Sequence, residues 1–226
     1  MAKAMRLAIV GCAALLHAAA ACAQQPPAPT PKPVTTPATP AVVSSDTTGT
    51  GLLPVGYGTL RQDAIAIPLQ LPGVLVKLTP LEESVILTLS PDSYRAFREL
   101  AESKRPAITR LASQHGLLRG SLWHVSFYGL APDARFSPLE LTITVAGRDY
   151  RPVEILPLST GFGEQRLQPR ETQTALYLFD DALDINQPLV VSLGSDRNES
   201  WSTKLKTIEQ ERVLIRSRAR SAAGRP

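Results

Sequence analysis

The sequence predicts a mainly β fold, a β-sandwich or barrel that carries a small helical insert and ends in a helix. Three observations predict it. At least five short segments between residues 121 and 193 are apolar or alternate apolar with polar side chains, each bounded by Gly, Pro, Asp or Asn. Helix-start signals cluster between residues 79 and 92. Near the end of the chain Trp201, Leu205, Ile208 and Ile215 share one stripe at about 100° per residue, as an amphipathic helix requires. The 226 residues are 43% hydrophobic and 19% charged, which excludes a polytopic membrane protein and a fully disordered chain.

The first element is an export signal, residues 1–23. Lys3 and Arg6 precede an Ala- and Leu-rich run from Leu7 to Ala21, too short to span a bilayer that needs about 20 apolar residues. Two processing readings stay open. Ala21-Cys22-Ala23 fits cleavage before Gln24, which gives a soluble product, and Ala19-Ala20-Ala21-Cys22 is a degenerate lipobox, which makes Cys22 the lipid-bearing residue. In both, Cys12 leaves with the signal and the exported domain holds no disulfide, so its core must stabilise itself.

Residues 24–58 read as a Pro/Thr-rich linker, with seven prolines and one charge between positions 24 and 40. Such composition favours extended polyproline II, a semi-rigid spacer. Residues 59–120 follow as a strand pair plus helical insert. Ala64–Leu69 and Gly73–Leu78 are the strands, and Pro68 assigns the first of them to a sheet edge. Thr79-Pro80-Leu81-Glu82 is a capping box that predicts a helix from Pro80, and Ser90-Pro91-Asp92 predicts a second. Pro106 is expected to interrupt that second helix, and Gly116 to end the insert.

Residues 121–200 form the expected β core. Trp123, Val125 and Phe127 alternate with His124 and Ser126, and Leu139, Leu141, Ile143 and Val145 alternate with Glu140, Thr142 and Thr144. A turn at Ala146-Gly147 then predicts a hairpin whose second strand runs from Tyr150 to Leu158. Thr174–Phe179 and Leu189–Leu193 complete the set. Residues 201–226 are the basic C-terminal helix and tail, with helix predicted to about Gln210 and residues 211–218 open between helix and strand, because Val213 and Leu214 leave the apolar stripe.

Residues 167–180 (LQPRETQTALYLFD) resemble the Leu-x-Pro-Gly-Glu, small, aromatic pattern of small secreted bacterial immunoglobulin-like domains, many of them lipoprotein modules. Arg170 stands where that pattern has the Gly of a turn, Ala175 replaces a later Gly, and the likeness covers at most residues 121–193. It implies an immunoglobulin-like sandwich and carries over no catalytic residue.

The search for chemistry is mostly one of exclusion. Only His115 and His124 remain after export, so a three-histidine metal centre is excluded, and no Gly-x-Ser-x-Gly, Ser-x-x-Lys or Gly-Lys motif occurs. Asp180, Asp181, Asp184 and Asn186 gather hard oxygen ligands of the kind calcium takes, off the EF-hand spacing, and the same residues are ordinary turn formers. Trp123 and Trp201 are read as core packing ahead of a sugar-stacking platform. No cofactor is expected beyond that calcium alternative.

Charge sharpens the remaining reading. The chain carries +4, but Lys3 and Arg6 belong to the signal, and residues 201–226 hold seven basic and two acidic residues. The body from 24 to 200 is therefore mildly acidic and the end basic. Lys204, Lys206, Arg212, Arg216, Arg218 and Arg220 form the expected contact surface, toward an envelope protein or an anionic envelope surface and not toward nucleic acid. The function expected is an exported, non-enzymatic module of the periplasm, cell envelope or extracellular space. A ligand-binding module for glycan or calcium, and a hydrolase without a recognisable motif, are the alternatives.

Overall fold

A computed structural model describes residues 53–224. The segment read as an export signal, with Cys22, the expected linker as far as residue 52 and the last two residues lie outside the described residues. In chain order the elements are α1 (Gln62–Ile65), β1 (Ile67–Leu71), β2 (Val74–Pro80), α2 (Glu83–Ile86), α3 (Pro91–Gln114), β3 (Ser121–Gly129), β4 (Ala134–Arg135) and β5 (Leu141–Val145). Then follow β6 (Arg148–Tyr150), β7 (Glu154–Pro157), β8 (Arg166–Leu167), β9 (Thr172–Phe179), β10 (Leu189–Leu193), β11 (Asp196–Asn198) and α4 (Trp201–Ala223).

The fold is mainly β, with three antiparallel sheets ordered β1-β2-β3-β9-β7, β11-β10-β5-β6 and β4-β8, an arrangement compatible with a β-sandwich. Period-2 alternation decides what each strand contributes. Trp123, Val125 and Phe127 of β3 and Ala175, Tyr177 and Phe179 of β9 are fully buried. They join Leu141 and Ile143 of β5 and Val191 and Leu193 of β10 in one apolar cluster. Each of the Val, Leu, Ile and Phe side chains among them contributes roughly 1.5–3 kcal/mol of burial, which lets the domain dispense with cross-links. Pro68 lies on the outermost strand of its sheet, as a residue without an N–H must. That edge is closed by side chains, because Asp196 accepts the Gln70 N–H and the Asn198 amide donates to the Pro68 carbonyl at 2.7 Å.

The helical insert departs from expectation at both ends. Thr79 and Pro80 complete β2, where their side chains are buried beside β3, so α2 starts only at Glu83 and spans one turn. Pro106 does not interrupt α3, which continues for 24 residues. The bond its missing N–H forfeits belongs to the exposed side of the helix, where water reaches the carbonyl, while Phe97, Ile108 and Ala112 hold the opposite side to the protein. The expected stop at Gly116 is present at φ 68°.

Three strands also differ from the sequence reading. Ala64 and Ile65 belong to α1, so β1 begins at Ile67. Leu139 is exposed in a 3-10 turn that precedes β5. Ala146 and Gly147, both at positive φ, make the expected two-residue hairpin turn. Its return strand nevertheless ends at Tyr150, and Pro152 lets the chain cross to the larger sheet, where β7 pairs with β9. At the entry, residues 53–58 are not linker. Leu53 is buried, Tyr57 packs on the core, and a methyl group on Gly58 would lie 2.3 Å from the Leu89 carbonyl oxygen, so only glycine fits there.

The turn Gln168-Pro169-Arg170-Glu171 closes with a 3.0 Å bond from the Glu171 N–H to the Gln168 carbonyl. Arg170 occupies its third position at φ 68°, the left-handed region that a type II turn reserves for glycine. Arg170→Gly is expected to raise stability by about 0.5–1 kcal/mol, the relief of left-handed strain less the greater freedom of an unfolded glycine. The midpoint of urea unfolding measures it, and a lower midpoint would contradict the strain.

Candidate functional site

The basic end is a single helix. α4 runs through residues 211–218 without a break, so helix and not strand is what that stretch adopts. Trp201, Ile208 and Ile215 are fully buried, and α4 packs on α1 and β10. Trp201 sits 6.3 Å from the Trp123 ring, centroid to centroid, and its indole N–H donates to the Ile185 carbonyl at 2.8 Å. Both tryptophans are core residues with no face for a sugar.

Three of the six basic residues expected to form a contact surface turn inward instead. Lys204 donates to the Asp63 and Ala64 carbonyls at 3.0 and 3.3 Å, and burial pushes its ammonium down from the ordinary lysine value. Arg212 donates to the Ser84 carbonyl at 3.0 Å and pairs with Glu209. Arg218 donates to the Tyr57 carbonyl at 2.8 Å and to Glu211 at 2.6 Å. Their fixed carbonyl and carboxylate partners explain why they are no part of a free surface: they bind backbone carbonyls of the entry segment, α1 and α2.

Glu211 completes this seam and was not expected from sequence. The residue is 4% exposed, and its carboxylate accepts the Thr59 N–H and hydroxyl, each at 2.9 Å, in addition to Arg218. The signal was present, since Glu211 and Arg218 are seven residues apart on the edge of the apolar stripe, but nothing local identified Thr59 as the partner. The remaining three cations, Lys206, Arg216 and Arg220, are exposed. They share the outward side of α4 with Val213 and Leu214, which are 60% and 48% exposed.

The acidic loop is put to a different use from that of a converged ligand set. Asp181 accepts the backbone N–H groups of Leu118, Arg119 and Gly120, and these bonds hold its carboxyl below the usual range. Asp180 caps Ala182 at 2.8 Å, and Asp184 accepts from the Asn186 N–H and from Gln187. Asn186 donates to Asp184 and lines a small cleft beside Arg212. Among the described residues no group of three or more His, Cys, Asp or Glu side chains is placed to hold a metal. The loop's carboxylates thus serve as turn and backbone caps that fasten the 180s to the end of the helical insert.

The histidines are held in separate settings. His115 caps the end of α3 with Nε2 3.4 Å from Glu154, whereas His124 lies beneath Phe97 with ring centroids 5.7 Å apart, where burial lowers its pKa. Glu83 accepts the Tyr94 hydroxyl, and Glu171 accepts the Gln168 N–H and the Gln173 amide. Among the described residues no helix is long and apolar enough to cross a membrane. Comparison with protein-family models, curated proteins and solved structures finds no match for the chain.

Proposed function

We propose that the protein is an exported, non-enzymatic envelope or secreted interaction module, with an immunoglobulin-like sandwich as its body and the outward side of α4 as its docking surface for an anionic envelope surface. The observation that carries this reading is the division of charge on one helix. Lys204, Arg212 and Arg218 are engaged with the body, while Lys206, Arg216 and Arg220 flank two exposed apolar residues on the opposite side. A helix whose inward cations hold it rigid and whose outward cations flank apolar side chains suits adsorption to an anionic lipid surface. The immunoglobulin-like part of the proposal is supported by the five- and four-stranded sheets and by Arg170, left-handed at the position where the related pattern carries glycine. Docking through α4 is compatible with both the soluble and the Cys22-lipidated product.

Truncation at residue 210 is unsuitable as a test, because it removes Glu211 and Ile215 from the core. Surface replacement is the right perturbation. At about 1 kcal/mol per basic residue near an anionic membrane, K206A/R216A/R220A is expected to lower partition onto phosphatidylglycerol-containing vesicles by roughly 100-fold, with an unchanged melting temperature. Binding of the native protein falls as salt is raised. Co-sedimentation equal for the native and triple-variant proteins would remove the docking role.

A further inference from the structure

The outer face of the five-stranded sheet is covered by α3 over only part of its length. Phe97 sits on His124, and Ile108 and Leu111 sit over Leu122, Leu176 and Leu178. Beyond α3 the same face continues bare. There the register sets Leu75 opposite Tyr128 and Tyr128 opposite Thr172, and sets Lys77 opposite Ser126. These five side chains line a groove of about 310 Å³. At its rim the Lys77 ammonium meets the Asp63 carboxylate at 2.8 Å, and that hydrogen bond holds Asp63 in its charged form.

We propose that this groove binds a neutral saccharide, one or two sugar rings in size, with Tyr128 as the surface on which a ring stacks. The lining selects that class. Its one charged lining residue, Lys77, is already paired with Asp63, so no free charge in the lining favours an anionic or a cationic ligand, nucleic acid included. Hydroxyls of Ser126, Thr172 and Tyr128 each donate and accept, which matches a ligand whose own hydroxyls do both. A wholly apolar ligand would leave those groups without partners. The lysine and carboxylate at the rim add a donor next to an acceptor, the pairing that adjacent sugar hydroxyls meet. The volume lies at the small end of ligand clefts, and with Leu75 and the Tyr128 ring as its only apolar parts it lacks the buried anchor cluster of a protein interface.

The signal in the sequence was the polar side of the β3 alternation, on which Tyr128 and Ser126 follow His124. None of Lys206, Arg216 and Arg220 lines the groove, which leaves the two proposals separately testable. The experiment is a glycan array of neutral oligosaccharides probed with the full exported chain, followed by calorimetric titration of the strongest binder. Binding is expected to fall at least tenfold in Tyr128→Ala, to survive in Tyr128→Phe, and to weaken about threefold to fivefold in the rim variant Thr172→Ala, whose exposed side chain leaves the fold intact. K206A/R216A/R220A should bind the sugar as the native protein does. An array with no neutral glycan above background, or affinity unchanged in both Tyr128→Ala and Thr172→Ala, would overturn the assignment.

Discussion

Trp201→Ala is expected to destabilise the domain by about 3–5 kcal/mol, the cost of deleting a large buried aromatic residue and leaving a cavity. The indole is fully buried against Trp123, and its N–H is the partner of the Ile185 carbonyl. Alanine removes both contributions and detaches the first turn of α4 from the 180s loop. Trp201→Phe separates them. It retains most of the apolar volume and gives up the hydrogen bond, so its cost should be about 1–2 kcal/mol. Urea denaturation with a shared slope measures both, and a cost below 1 kcal/mol for the alanine variant would mean that α4 is not anchored through this residue.

Glu211→Ala is the second large effect, about 3 kcal/mol, because it leaves the Thr59 N–H without its acceptor and takes the carboxylate from Arg218, which keeps the Tyr57 carbonyl but loses its counter-charge. Arg218 is 36% exposed and recovers some hydration, which keeps the figure at the lower end for a broken buried pair. Burial alone would push the Glu211 carboxyl up, but the bonds from Arg218 and Thr59 outweigh it and hold the group below its ordinary value of 4.5. The sign follows. A carboxyl with a depressed folded value stabilises the protein above its ordinary pKa and loses that contribution as pH falls through the folded value. The native protein should therefore lose stability in acid more steeply than Glu211→Gln, and parallel acid-denaturation curves for the two would show that Glu211 is not the responsible group. Because Thr59 belongs to the entry segment and Glu211 to the last helix, both variants should also loosen residues 53–60, seen as faster amide exchange there.

The β core was largely readable from alternation. Trp123, Val125, Phe127, Ile143, Val145 and Leu189 stand on the buried side where their spacing puts them, because in an extended chain the side of a residue is decided by its immediate neighbours. Local signals misled where a neighbouring element competed for the same residues. The capping box at Thr79 is intact as a motif, yet β3 offers Thr79 and Pro80 a buried place in the sheet and wins them. Pro106 breaks a helix in isolation, but a helix pressed to a sheet by Phe97, Ile108 and Ala112 can lose one solvent-facing bond. Val213 and Leu214 broke the stripe and left residues 211–218 undecided, although Ile215 and Glu211 bury enough of α4 to continue it. Arg170 shows the converse, a glycine position recognisable by pattern and occupied by a residue the turn must strain to hold.

The candidate sites divide in the same way. Sequence alone determined that the C-terminal segment is basic and amphipathic, that the 180s loop is acidic, and that residues 23–226, which hold no cysteine, must hold themselves together by an apolar core. It determined these things because composition and period-2 or 3.6-residue spacing are properties of a few consecutive residues. Only the tertiary structure decided which cations face the body and which face solvent, that the loop's carboxylates cap backbone N–H groups, and that a hydroxyl-lined groove lies beyond the end of α3. Those outcomes depend on partners far apart in the chain, such as Thr59 and Glu211 at 152 residues' separation. A side chain's local pattern states which side it takes, and the packing of distant segments states what waits for it there.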